Sequence, residues 1–142
     1  MIAHLRDGVK PRLETLNTTY LGWAQGGSAT TTPAVPYFVL TGPSWGKPDE
    51  APLADADAAL DDEFRVTGVT GTPEGAAILL KRAMDELSPA GAWKALEVPG
   101  RVAWVKFVRS EFVGVDRDLT IASTNRHPGV GVDTYRLVSE PI

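Results

Sequence analysis

Apolar residues recur at spacings of three and four in two stretches of this chain and alternate with polar ones through much of the rest. Ile2, Leu5, Val9, Leu13 and Leu16 fall on one stripe and predict an N-terminal helix over residues 2–16. Gly8 and Pro11 interrupt that stripe, so the helix is expected to be weakened or kinked there. The second helical pattern is broader: Ala76, Leu79, Leu80, Ala83, Met84 and Leu87. Thr72 stands before it as an N-cap, Pro73 takes the favoured first position, and Glu74 complements the helix dipole. Ser88-Pro89 stops the pattern, which predicts a helix over 73–87.

The period-2 segments lie around these helices. A short strand is expected over 19–23 and another over 36–41, entered by Pro36 and therefore starting at an edge. Glu63-Phe64-Arg65-Val66-Thr67 alternates as a half-buried strand does and continues to about Val69. The last third predicts strands over 93–98, 101–109, 111–116 and 130–138, with Pro99-Gly100 as a turn and Ser110 as a bend or bulge. Residues 24–36, 42–60 and 120–131 read as connections, the second of them long and proline-bearing. Strands on both sides of the second helix, with short links after it, predict a single α+β domain. Its sheet is antiparallel or mixed, with two helices packed on one face.

One strand resists the simple layer. Val102, Trp104 and Val108 fall on one face of 101–109, and Ala103, Val105 and Phe107 on the other, so both faces are apolar. Either the strand is central and covered twice, or its second face meets another subunit.

Composition narrows the function classes. A chain of 142 residues with formal charge −4 gives no general electrostatic reason to bind nucleic acid. Cysteine is absent, which removes disulfides and thiolate chemistry and fits synthesis in a reducing compartment. The first sixteen residues lack the apolar core of a secretory signal, and no apolar run reaches the ~18–20 residues that span a bilayer. The charge is segregated: Asp49, Glu50, Asp55, Asp57, Asp61, Asp62 and Glu63 put seven acids and no base between 49 and 63, leaving +3 on the remainder. Such a run is either a solvated loop or an acidic surface that meets a basic partner or repels a polyanion.

Candidate chemistry is thin. Gly42-Pro43-Ser44-Trp45-Gly46 follows the strand at 36–41 and matches the nucleophile-elbow pattern, with Asp116, Asp118 and His127 later in the order an α/β-hydrolase uses. The elbow needs a helix directly after the serine, and Pro48 and Pro52 follow instead, so the glycines and Pro43 read better as turn formers. His4 and His127 have no partner at metal-ligand spacing, and the glycines at 68, 71 and 75 fit neither a P-loop nor the dinucleotide fingerprint. No catalytic residue, cofactor site or metal site is assigned. Among the tryptophans, Trp45 on its Gly/Pro loop is the favoured interface residue, joined as interface candidates by Trp104 and the acids Asp55, Asp57, Asp61 and Asp62.

The ordered set "PYFVL", then "FRVTGVTGTPEGAAILLKRAMDEL", then "VGVDTYRLVSEPI" resembles the tail terminator proteins of long-tailed actinobacteriophages, relatives of the lambda-like tail terminator. The resemblance spans most of the chain, its most specific parts being Val66–Leu87 and Asp133–Pro141, while the loop 42–60 departs from the pattern. It implies an α/β virion protein, made in the host cytoplasm, that forms a homohexameric ring at the head-proximal end of the tail tube. Its partners are then further copies of itself, the major tail tube protein and a head-completion protein, with DNA passing through the ring unbound, no membrane and no cofactor. Two alternatives stand beside it: another neck or head-closure component of similar size, and a small serine hydrolase using Ser44.

Overall fold

The computed structural model describes residues 2–28, 30–42 and 59–142. Its N-terminal segment is helical throughout 2–14: α1 (Ile2–His4), a π-helical turn (Leu5–Val9) and α2 (Lys10–Glu14). The expected interruption is present as that wider turn. Gly8 has a packing reason as well, since a Cβ there would stand 2.9 Å from Cγ2 of Val98. Pro11 falls in the first turn of α2, where a missing amide costs least.

Strands β1 (Thr19–Leu21), β2 (Thr31–Thr32), β3 (Tyr37–Thr41) and β4 (Leu60–Thr70) follow, then α3 (Pro73–Leu87). After a short 3₁₀ turn (Pro89–Gly91) come β5 (Lys94–Val98), β6 (Arg101–Val115), β7 (Thr120–Ile121) and β8 (Gly129–Pro141). The main sheet has the order β1-β3-β4-β8-β6-β5. Only the β1–β3 pair in it is parallel. This is the expected α+β layer: a mixed sheet with the helices on one face.

Helix α3 occupies the predicted residues because its ends are chemically marked. The Thr72 side chain accepts from the Gly75 amide at 3.0 Å, and Ser88 ends the helix. Its buried stripe of Ala76, Leu79, Leu80, Ala83 and Leu87 packs with Leu5, Val9 and Leu13 over Phe38, Leu40, Phe64, Val66, Ala103, Val105 and Leu137. Each fully buried leucine in this layer contributes about 2 kcal/mol. Tyr135 sits at the centre, stacked on Phe64 at 5.5 Å and met edge-on by Phe107 at 5.6 Å.

Three sequence-based expectations need correction. The strands drawn at 101–109 and 111–116 are one strand, β6, whose register slips at Val108 and Glu111 against the unbroken β8. A bulge absorbs the extra residue without ending the ladder, and Ser110 is held by a 2.7 Å hydrogen bond to Asp133. Second, Pro36 does not mark a sheet edge: Thr19 of β1 pairs with Phe38, so β3 is flanked on both sides. Third, residues 120–131 are not wholly a loop, because β7 pairs in parallel with β2 as a separate two-stranded sheet.

Candidate interaction surface

Alternation sends every second residue of the main sheet away from the helices, and direct cross-strand partners share that face. The pairings therefore lay out rows. One row runs Ala95, Trp104, Val138, Asp61, with Glu97, Val102 and Glu140 beside it. The next runs Lys106, Arg136, Glu63, followed by Arg109, Thr134, Arg65. At the far end Tyr37, Val69 and Val130 form a small second core, covered by Tyr20, Ala24 and Val35.

Cover stops there. Val102 is 53% exposed, Trp104 44% and Trp93 41%, so the apolar end of this face lies open. Of the two readings of the doubly apolar strand, β6 is packed on one face only among the described residues. Ala103 and Val105 are buried beneath the helices, while Val102 and Trp104 face outward.

The charged rows between the two apolar ends neutralise themselves. Arg136 grips Asp61 with both nitrogens, at 2.8 and 2.6 Å, and this hydrogen-bonded guanidinium holds the Asp61 carboxyl below its ordinary range. The same guanidinium lies 5.8 Å from the centre of the Trp93 ring, and Lys106 Nζ lies 6.0 Å from it. Arg109 donates to Glu111 at 3.1 Å and reaches Glu63 at 3.5 Å, while Arg65 meets Glu111 at 3.0 Å. Exposed ion pairs of this kind add little to stability. Their chemical consequence is a face low in net charge and bordered by aromatic rings, a composition compatible with contact to another protein surface.

The sequence candidates divide accordingly. Ser44, Trp45, Asp55 and Asp57 lie outside the described residues. Asp61 and Trp104 share one row of the open face. Asp62 does not join them: its side chain accepts from the Glu63 amide at 2.8 Å beside a concavity of about 340 Å³. The acidic run is thus partly neutralised at its end, since Asp61 and Glu63 are both paired with arginines. Trp93 and Arg136 belong to the surface as well. Neither carries a local sequence signal for it, because their proximity depends on which strands become neighbours.

Outside this face the chemically suggestive groups among the described residues are hydrogen-bonded to neighbouring structure. Asp116 Oδ1 accepts from the Asp118 amide at 3.0 Å, and His127 Nδ1 lies 2.7 Å from the Leu119 carbonyl, so both serve their own loop. His4 Nε2 lies 2.8 Å from Ser139 Oγ, which also accepts from Arg101 Nε. This serine–histidine pair is buried and pins the N-terminal helix to β8. Burial, followed by nearby positive charge including Arg101, lowers the His4 pKa to about 4, so the ring is neutral at neutral pH. Among the described residues no three His, Asp or Glu side chains stand together as a metal site, and no helix is long and apolar enough to cross a membrane. No protein-family model matches the chain, and no curated protein sequence matches it.

Proposed function

We propose that this protein is a structural subunit of a phage tail. It acts as a tail terminator that assembles into a ring, homohexameric as in the family it resembles, at the head-proximal end of the tail tube. There it ends tube growth and offers a surface to the head-completion protein. The observation that supports this most is the uncovered sheet face, where Trp93, Val102 and Trp104 lie open beside a self-neutralised ion-pair lattice. A face of that composition serves protein–protein contact.

A ring closes through heterologous contacts, so each subunit needs two different complementary patches. The open face supplies one of them. The test is deletion of the gene in the phage that encodes it, with the particles examined by electron microscopy. Overlong tubes support a terminator; tails of normal length detached from heads refute it and point to the neck component instead. Complementation with Trp104→Asp is expected to leave the fold intact, since the ring is already half in solvent, while failing to restore tube length.

A further inference from the structure

The free edge of β6 carries a self-complementary pattern, and we propose that two copies of this chain pair there as antiparallel strands about a two-fold axis through Ser110. Residues 101–105 of β6 are covered by β5, and the Phe107 amide is taken by Ser88 Oγ at 2.9 Å. Beyond that point β6 pairs with β8 on one side and, among the described residues, with no strand on the other. An uncovered edge offers backbone donors and acceptors that only another extended chain satisfies in series. The stretch Val108–Phe112 carries neither proline nor lysine; its edge is modulated by bulges at Val108 and Glu111 and by the charges of Arg109 and Glu111, which a second copy can match.

A second copy fits because the stretch reads as its own complement. With Ser110 on the axis, Arg109 of each chain lies opposite Glu111 of the other, and Val108 opposite Phe112. Within one chain Arg109 and Glu111 already touch at 3.1 Å on the same face, so the two-fold joins two such pairs into four charges of alternating sign. The flanking Val108 and Phe112 are each more than two-fifths exposed in the single chain, so pairing removes apolar surface from water. The Ser88 cap limits the pairing at one end to about five residues, an ordinary strand length, and the two bulges at Val108 and Glu111 lie inside it. The contact is isologous, whereas a ring needs heterologous ones. It therefore stands independently of the proposed function and would mask this edge in the unassembled protein.

Sedimentation velocity of the full chain across a wide concentration range is expected to show a reversible dimer. Arg109→Glu or Glu111→Arg alone sets like charges opposite each other at two places and weakens it roughly tenfold. The double exchange Arg109→Glu/Glu111→Arg restores the pattern and with it the dimer, while circular dichroism melts check that each variant folds. In this cysteine-free chain Ser110→Cys supplies a test of register. Opposed Cα atoms in an antiparallel pair lie about 4.5–5.5 Å apart, within disulfide range. Oxidation should therefore link the dimer through Cys at 110 and not through Lys106→Cys. A monomer at every concentration, a dimer indifferent to the charge exchange, or one that Ser110→Cys does not cross-link each overturns the proposal.

Discussion

Replacing Gly129 by alanine should damage this fold more than the same added methyl group at Gly131 or Gly71. Gly129 pairs with Thr70 of β4 on one side and Val115 of β6 on the other, so its backbone is fixed in the middle of the sheet. A Cβ on it would lie 2.0 Å from the Thr72 carbonyl carbon, 2.1 Å from its oxygen and 2.3 Å from the Pro73 nitrogen. Those atoms are backbone at the start of α3, held by the Thr72 cap and the proline ring. Relief requires the helix end to move by more than an ångström away from the sheet it packs on. Overpacking that side chains can absorb costs about 1–3 kcal/mol, so a backbone collision belongs at or above the upper end of that range. For a chain of this size that lowers the melting temperature by on the order of 10 °C. Two neighbours calibrate the argument. A Cβ at Gly131 meets first the flexible tip of Leu80, at 2.6 Å, and should cost about 1–2 kcal/mol. A Cβ at Gly71 meets nothing within 4 Å, so Gly71→Ala should be neutral or stabilising by about 0.5 kcal/mol. Thermal melts and urea titrations of the three variants give the order directly. If Gly129→Ala melts within two or so degrees of the parent, or above Gly131→Ala, the close approach does not govern this junction.

Further outcomes are equally open to measurement. His4 is held neutral to about pH 4 in the fold but takes up a proton near pH 6.5 when unfolded, so stability falls as pH drops from 6.5 towards 4. The loss is on the order of 3 kcal/mol, and the parent-minus-His4→Gln difference in urea midpoints across that window should carry it; a flat difference refutes it. Thr72→Ala removes the side chain that caps α3 and should cost about 1 kcal/mol in a denaturant titration. Among the described residues the buried Tyr135 hydroxyl has no hydrogen-bond partner, so Tyr135→Phe should raise stability by about 1 kcal/mol while keeping the ring stack. A clear loss there would reveal a partner for that hydroxyl. Arg136→Ala should shift the melting temperature only slightly, because its Asp61 pair lies in solvent, but should weaken assembly if the open face is a contact surface.

The helix 73–87 was legible residue by residue because its cap, its proline and its apolar stripe all act within a few residues of the backbone they govern. The buried side of β6 was legible for a similar reason: alternation alone puts Ala103 and Val105 together. Alternation does not say which side the helices take, so the outward Val102 and Trp104 gave two outcomes until the layers were assembled. Ser110 illustrates the limit most clearly. A polar residue between two apolar runs is a local signal for a break, yet β8 runs past it unbroken and the ladder continues through two bulges. The meeting of Trp93 with Arg136, and of Arg136 with Asp61, 75 positions apart, had no local trace either. Those contacts follow from the strand order β4-β8-β6-β5, which long-range pairing and a shared core select. The chain by itself thus determined where its helices begin, what each strand face is made of, and that Gly8 would weaken a helix. Tertiary packing decided which apolar face went inside and which stayed in solvent, because burial depends on neighbours distant in sequence.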